Sequence, residues 1–275
     1  MNGPHDLIVI GGNAGGLSAA ITGRQAGMER VQILEPGTSV AFGAVVGEHG
    51  LKVGFGERVQ SIDVAGDDIV VTTDRQSYAT RACLVAERAS DPTWSPSIPA
   101  APESRILVDA LPETVNDTDV LVVGHTDHAV ELASAVVAAG GNVVLAAAGM
   151  DPTRLSPVAA TMLTSMERER VATLLYRSVP KVVTEVDGYP MADFGDRRTP
   201  DLQFDHVVFS SGRRALQPTD VGLTDAARAS GRVWFLGEED ETPEGVPTAP
   251  SSRVGRDLVA AVFPELEAPA DAPSA

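Results

Sequence analysis

Apolar and polar positions along the first 35 residues follow the order strand, helix, strand. Leu7–Ile10 is an unbroken apolar run, the segment from Ala14 to Ala26 is built mostly of small residues, and Val31–Glu35 is apolar until its closing carboxylate. This order is typical of a parallel β-strand pair joined by a right-handed helical crossover. The pattern therefore predicts that the chain begins with an α/β unit.

The next block predicts short strands. Residues 36–50 show no clear period, whereas the stretch from Leu51 to Ala86 contains a β-branched run at Ile69–Thr73 and a Gly66–Asp67 turn suited to a hairpin. We interpret this stretch as a small antiparallel insert. The proline-rich segment from Ser90 to Ser104 is then expected to be an extended connector.

A second unit repeats the opening pattern. In "DVLVVGHTDHAVELASAVVAAGGNVVLAAAG", Gly124 follows an apolar strand and precedes an alanine-rich helix, as Gly11 does in the first unit. Further elements are predicted as helices from Pro157 to Arg170 and from Ser251 to Val262, and as strands within Phe204–Gly212 and Gly231–Glu239. The predicted fold class is α/β with two Rossmann-like three-layer units, the second inserted into the first, and with small antiparallel β inserts.

The turn after the first strand has the residues of a dinucleotide-binding loop, with one substitution. Gly11 permits a tight turn, Gly16 permits close helix packing, and the helix N-terminus presents amides and partial positive charge to a pyrophosphate. Asn13 stands where the usual fingerprint has a second glycine, but asparagine tolerates left-handed geometry and its amide can donate. Glu35 stands where a carboxylate would accept from a ribose hydroxyl. The alternative is a glycine turn that serves only helix-on-sheet packing.

The charge balance, the apolar runs and the cysteine count exclude several classes of function. The chain has 38 acidic and 21 basic residues and a formal charge of −17, which disfavours nucleic acid and anionic membranes as partners. No membrane span or export signal is visible, so a cytoplasmic location is expected. Cys83 is the only cysteine, which rules out an internal disulfide and a redox dithiol pair.

Five segments carry a family resemblance: "DLIVIGGNAGGLSAAITGRQAG", "ATRACLVA", "VLVVGHTDHAVELA", "HVVFSSGRRALQP" and "GRVWFLGEED". In this order they resemble the FAD-dependent pyridine nucleotide-disulfide oxidoreductase superfamily, and most of all a shortened thioredoxin reductase-like member that lacks the CxxC pair. The resemblance implies a discontinuous FAD-binding domain at 1–112 and 213–265 and an NAD(P)-binding-like domain at 113–212. The Pro/Ala/acid-rich tail at 266–275 is expected to be disordered.

The resemblance also implies a set of FAD-binding positions. The pyrophosphate would lie on the first turn, the ribose on Glu35, the adenine near the backbone of Val59, and the flavin ribityl chain near a Gly-Glu pair that replaces the family's Gly-Asp. No catalytic residue is assigned. The cofactor-binding positions are Gly11, Gly12, Asn13, Ala14, Gly15, Gly16, Glu35, Val59, Gly237 and Glu238.

The second glycine turn departs further from the family. The "GHTDHA" stretch has Thr126 and Ala129 at two glycine positions, Asp127 would repel a pyrophosphate, and the following Ala146–Ala148 carries no charge to select NAD or NADP. NAD(P)H binding is therefore disfavoured there. His125, His128 and Glu131 suggest metal ligands, but packing or capping roles are favoured and no metal site is assigned.

Two functions remain in competition. The first is a soluble FAD-dependent oxidoreductase that transfers electrons or hydride through flavin without a protein dithiol. The alternative is a degenerate, non-catalytic member that acts as a nucleotide sensor or a protein-binding scaffold. A plain NAD-dependent dehydrogenase ranks last. The expected partner is a small-molecule nucleotide cofactor, and a protein electron-transfer partner and a homodimer are left open.

Overall fold

The structure is a computed structural model of the 275-residue chain. It describes residues 3–40, 42–89, 105–147, 149–195, 199–210, 214–236, 248–249 and 259–260. The predicted connector over 90–104, most of the last predicted helix and the acidic tail lie outside the described residues.

The described residues form eighteen strands and five α-helices. The strands are β1 (His5–Ile10), β2 (Val31–Glu35), β3 (Lys52–Phe55), β4 (Val59–Ala65), β5 (Asp68–Thr73), β6 (Ser77–Val85), β7 (Arg88–Ala89), β8 (Ile106–Val108), β9 (Asp119–Val123), β10 (Asn142–Ala146), β11 (Ala172–Leu175), β12 (Val182–Val186), β13 (Tyr189–Asp193), β14 (Leu202–Gln203), β15 (His206–Phe209), β16 (Arg214–Ala215), β17 (Val233–Leu236) and β18 (Thr248–Ala249). The helices are α1 (Ala14–Gln25), α2 (Gly43–Glu48), α3 (Asp127–Ala138), α4 (Pro157–Glu169) and α5 (Asp225–Ala229).

The chain divides into two compact units. The first unit comprises Met1–Ala89, Ser156–Val158 and Arg214–Ala275, and the second comprises Ser90–Leu155 and Ala159–Arg213. In the first unit, parallel strands run in the order β18-β17-β6-β1-β2-β3. Helix α1 packs on β1 and β2. The core beside this sheet includes Ile8, Leu34, Val71 and Phe235.

The expected antiparallel insert is partly wrong. Strands β4 and β5 form the predicted hairpin, and β6 pairs antiparallel with β5 as predicted. Strand β3, however, pairs in parallel with β2, and β6 also pairs in parallel with β1 and β17. The last four residues of β6 are all buried, from Ala82 to Val85, as in a strand covered on both faces of a parallel sheet. The block therefore supplies a central strand and an edge strand of the main sheet.

Helix α2 was not predicted by the sequence pattern. It has six residues, "GAVVGE", no buried side chain and no side-chain cap, because its N-cap position is Phe42. Such a short element has no periodic stripe that a pattern search can detect. It nonetheless interrupts the segment between β2 and β3.

The second unit has a parallel sheet of its own. Its strands run in the order β11-β10-β9-β15-β8, and α3 packs on β9 and β10. A separate antiparallel sheet, β12-β13-β14, adds a small β layer whose Ala192 and Phe194 join the core with Leu121 and Val207. The predicted α/β class with two parallel sheets and antiparallel additions is confirmed. Within the described ranges, no helix combines the length and the apolar character that crossing a bilayer requires.

Candidate functional site

The first glycine turn joins the carboxyl end of β1 to α1. Gly11 adopts φ +101°, and its N–H donates to the Leu34 carbonyl at 2.8 Å. A Cβ at this position would lie 2.6 Å from the Glu87 backbone nitrogen. Both the positive φ and the close approach of Glu87 require glycine here.

Asn13 ties this turn to the neighbouring strand. Its Oδ1 accepts from the Gly16 N–H at 2.9 Å, so it caps α1, and its Nδ2 donates to the Ala86 carbonyl at 2.5 Å. Its φ of −75° and ψ of 175° are extended, so left-handed tolerance is not the reason that asparagine suits this position. The substituted residue therefore has a structural role that the glycine of the usual fingerprint lacks.

Glu35 lies beside the turn with a fixed carboxylate. Its Oε2 accepts from the Gly12 N–H at 2.7 Å, and its Oε1 accepts from the Gly37 N–H at 2.8 Å. Each carboxylate oxygen keeps acceptor capacity after one such bond. The structure thus brings Glu35 to the glycine turn, and both oxygens can accept from further donors such as vicinal hydroxyls.

Two backbone donors at the start of α1 have no partner in the described part of the chain. The N–H groups of Asn13 and Gly15 find no acceptor there, whereas Gly11, Gly12 and Gly16 each donate to a protein oxygen. Free N–H groups at a helix N-terminus, together with its partial positive charge, favour an anion. These two N–H groups are donors of the kind that an anion at a helix N-terminus accepts from.

Protein atoms also pack closely on the small residues of this turn. A Cβ on Gly12 would overlap the Val40 side chain, one on Gly15 would overlap Leu236, and one on Gly16 would overlap the Gly11 carbonyl oxygen. The backbone of the turn is buried apart from Asn13, which is half-buried. Packing inside the protein is thus enough to require glycine at these positions.

The remaining predicted positions are placed as follows. Val59 is the first residue of β4 and is buried in the core of the first unit. It lies two residues after Glu57, whose N–H donates to the Glu35 carbonyl at 3.3 Å. Gly237 and Glu238 lie outside the described residues, although the preceding Leu236 contacts Gly15.

The second glycine turn is surrounded by acidic side chains. Helix α3 has Asp127 in its first turn, and its N-cap Thr126 makes no side-chain capping bond. His128 lies between two carboxylates, with Nδ1 3.0 Å from Glu131 Oε2 and Nε2 3.3 Å from Asp109 Oδ1. The two ring nitrogens thus face different carboxylates and do not converge on one point with them. Among the described residues, no group of three or more histidines, cysteines or acids is arranged to hold a metal ion.

The lone thiol lies in the core. Cys83 is fully buried in β6, and burial raises the pKa of its thiol far above the ordinary value. A buried neutral thiol is a poor nucleophile. Cys83 is therefore a core residue and not a nucleophile in the folded protein.

Sequence reasoning missed three contributors to the first turn. The carbonyl of Ala86, the side chain of Val40 and the side chain of Leu236 all contact it from segments distant along the chain. None of these residues belongs to a recognisable motif, and only the register of the sheet brings them to the turn.

Comparison with known proteins finds a matching family. A family model described as "Pyridine nucleotide-disulphide oxidoreductase" matches residues 42–215, more than half of the chain. A search of curated proteins finds no match.

Similar solved structures include a bacillithiol disulfide reductase from Staphylococcus aureus, with 15% identity over 96% of this chain and 99% of that one, at a TM-score of 0.45. Thioredoxin reductase from Lactococcus lactis has 16% identity over 95% of this chain and 99% of that one, at a TM-score of 0.44. Thioredoxin reductase from T. acidophilum has 12% identity over 95% of this chain and 98% of that one, at a TM-score of 0.48.

Proposed function

This chain belongs to the pyridine nucleotide-disulphide oxidoreductases, and on that premise we propose that it binds FAD at its first glycine turn and transfers electrons or hydride through the flavin. The bound flavin would supply the redox chemistry, and the protein supplies binding and electrostatics. The observation that carries the proposal is the pair of N–H groups of Asn13 and Gly15, which have no acceptor among the described residues and lie beside the fixed carboxylate of Glu35.

Each part of the turn has a distinct task in this proposal. The N–H groups of Asn13 and Gly15 donate to the diphosphate, and the positive end of α1 favours its charge. Glu35 accepts from the adenosine ribose hydroxyls while its bonds to Gly12 and Gly37 hold the carboxylate in place. Asn13 fixes the start of α1 through Gly16 and Ala86, so the donors keep their direction.

The proposed reaction does not pass electrons through a protein dithiol. The sequence contains one cysteine, and Cys83 is buried with its thiol kept protonated. Relay of electrons to a disulfide needs two exchanging thiols. The substrate must therefore receive its electrons from the flavin directly.

We assign no NAD(P)H site to the second unit. Asp109, Asp127 and Glu131 gather near the start of α3, with His128 between two of them. Negative charge at a helix N-terminus opposes a second, anionic group there. The ribose-selecting acid or arginine of the family is also missing from Ala146 and Ala147 at the end of β10.

The second candidate function is that of a non-catalytic nucleotide sensor or a protein-binding scaffold. The observation in its favour is the packing of Val40 and Leu236 on Gly12 and Gly15, since these glycines are needed by the fold whether or not a nucleotide binds. Retention of the glycine turn therefore does not by itself argue for catalysis.

Reconstitution with FAD, followed by anaerobic reduction, separates these functions. The purified protein is mixed with FAD, desalted, and titrated without oxygen with NADH or NADPH while the visible spectrum is recorded. A retained flavin spectrum that bleaches supports the oxidoreductase. A retained spectrum that dithionite bleaches but that NADH and NADPH leave unchanged supports the sensor, and a colourless protein supports the scaffold.

A further inference from the structure

A cavity lies at the edge of the first unit's sheet opposite the glycine turn. Strands β1, β2 and β3 are parallel neighbours, so the residues that begin them, His5, Val31 and Lys52, meet at one edge. The cavity there has a volume of about 370 Å³, within the range of small-molecule sites. Its polar lining includes His5, Arg24, Glu29, Arg30, Gln32 and Lys52.

The charged groups of this cavity are mainly cations, and these have no acidic partner among the residues that the structure describes. Arg24 donates to the carbonyls of Met28 and Glu29, and Arg30 donates to the carbonyl of Gly3. Within the described part of the chain, Arg24, Arg30 and Lys52 have no carboxylate oxygen within 4.0 Å. Glu29 is the one acid in the lining.

This arrangement contrasts with the charge of the whole chain. Acids outnumber bases by 38 to 21, so a basic side chain would be expected to meet a carboxylate readily. Three cations at one cavity instead leave local positive charge on a protein whose overall field repels anions. The guanidinium groups of Arg24 and Arg30 each donate from Nη1 to backbone carbonyls, and their other N–H groups remain able to donate. The three N–H groups of the Lys52 ammonium make no hydrogen bond to the described residues.

The pKa of His5 reflects this positive potential. This pKa is lowered, first by burial and then by the charges of Arg30 and Lys52, against the opposing effects of a hydrogen bond to the Arg30 backbone and of the Asp6 charge. The His5 ring also meets the Tyr78 ring edge-on, with centroids 5.9 Å apart. His5 Nδ1 is buried with no hydrogen-bond partner among the described residues.

We propose that this cavity binds a small, multiply charged anion of the phosphate class, such as the phosphate groups of a phosphorylated metabolite. Arginine guanidinium groups form bidentate hydrogen bonds with phosphate oxygens, and a lysine ammonium adds a localised positive charge. The site is separate from the FAD site and does not depend on it, because it lies at the amino edge of the same sheet.

Calorimetry with inorganic pyrophosphate tests this site. Titrations use the wild type, Lys52→Gln and, as a matched control, Arg58→Gln, whose exposed side chain lies outside the cavity. One series contains saturating FAD and the other contains none. Pyrophosphate that binds at the glycine turn competes with FAD, whereas pyrophosphate that binds in the cavity does not. The expected result is a dissociation constant raised about tenfold by Lys52→Gln and unchanged by Arg58→Gln, in both series. No binding, or equal affinity of all three proteins, overturns the proposal.

Nuclear magnetic resonance of His5 supplies a local readout. A bound anion offsets the charges of Arg30 and Lys52, so pyrophosphate is expected to raise the pKa of His5, and Lys52→Gln to raise it without ligand. His5→Gln assigns the resonance. An unchanged pKa of His5 in the presence of bound pyrophosphate places the anion elsewhere and contradicts the proposal. Citrate binding as tightly as pyrophosphate overturns the assignment to the phosphate class.

Discussion

Asn13 makes two hydrogen bonds that a glycine in its place could not make. One caps α1 through Gly16, and the other reaches Ala86, which is 73 residues away along the chain. The sequence identifies Asn13 as a departure from the dinucleotide fingerprint, but the partner of its amide depends on the pairing of β1 with β6. The role of Gly11 and the position of Glu35 were predictable from local spacing, and the role of Asn13 was not.

Replacing Asn13 tests its structural role. Asn13→Ala removes the cap and the bond to Ala86, and we expect it to lower the free energy of unfolding by about 2 kcal/mol. Urea denaturation followed by circular dichroism measures this change. Asn116→Ala is the control, because the Asn116 side chain is exposed and its hydrogen bond in the described part of the chain goes to its neighbour Asp117. An effect within about 0.5 kcal/mol is therefore expected. Equal effects of the two variants would show that Asn13 does not stabilise the turn.

The buried thiol predicts a pattern of chemical reactivity. Because burial raises the pKa of Cys83, its thiol stays protonated at pH 8 and is screened from reagents in the folded protein. A colourimetric thiol reagent is expected to detect no reactive thiol natively and one per chain after unfolding. Rapid stoichiometric labelling of the folded protein would contradict the buried position.

His128 is expected to stabilise the second unit. Its side chain is 14% exposed and lies between Asp109 and Glu131, which are 6% and 10% exposed. His128→Ala leaves two poorly solvated carboxylates without this partner, so we expect a loss of about 2 kcal/mol in the free energy of unfolding. The control is His125→Ala, since His125 is exposed. A change in stability as small as that of the control would argue against the pairing.

At the scale of elements, predictions succeeded where the signal was local. The pattern of β1, α1 and β2 was predicted closely, because a short crossover is encoded in consecutive residues. The antiparallel pairing of β4, β5 and β6 was predicted, because short turns join these strands. The parallel pairing of β3 with β2 and of β6 with β1 and β17 was missed, because it joins segments that are distant along the chain. The cavity at the amino edge of the sheet was missed for the same reason, because its cations come from α1, from the residue before β2 and from the start of β3.

The packing of α1 on the sheet depends on Gly16. A Cβ there would overlap the Gly11 carbonyl oxygen and lie 3.1 Å from Val9 Cγ1, so we expect Gly16→Ala to destabilise the first unit by about 3 kcal/mol. Gly43→Ala is a matched control, because nothing lies within 4 Å of its Cβ and alanine favours the helix α2. Thermal unfolding of both variants measures the difference. A Gly16→Ala protein as stable as Gly43→Ala would contradict the close contact.

At the scale of the whole molecule, the repeated strand-turn-helix pattern was enough to predict two parallel-sheet units, and the resemblance of five segments predicted the family. The match of the pyridine nucleotide-disulphide oxidoreductase model over residues 42–215 confirms that family resemblance. That match starts beyond Gly11–Glu35, so the proposal of a cofactor site rests on the geometry of the turn itself. Pattern alone could not reveal that Val40 and Leu236 pack on the turn, because side-chain contacts between distant segments have no local signature.

The dissociation constant for FAD, measured in the wild type and in Glu35→Gln, tests the central claim most directly. Glu35→Gln removes the charged acceptor, and Glu48→Gln on the exposed surface of α2 is the control, with native circular dichroism required of each variant. We predict that the wild type and Glu48→Gln bind FAD equally and that Glu35→Gln binds it at least about tenfold more weakly. Failure of the wild type to bind FAD, or unchanged affinity in Glu35→Gln, would contradict the account.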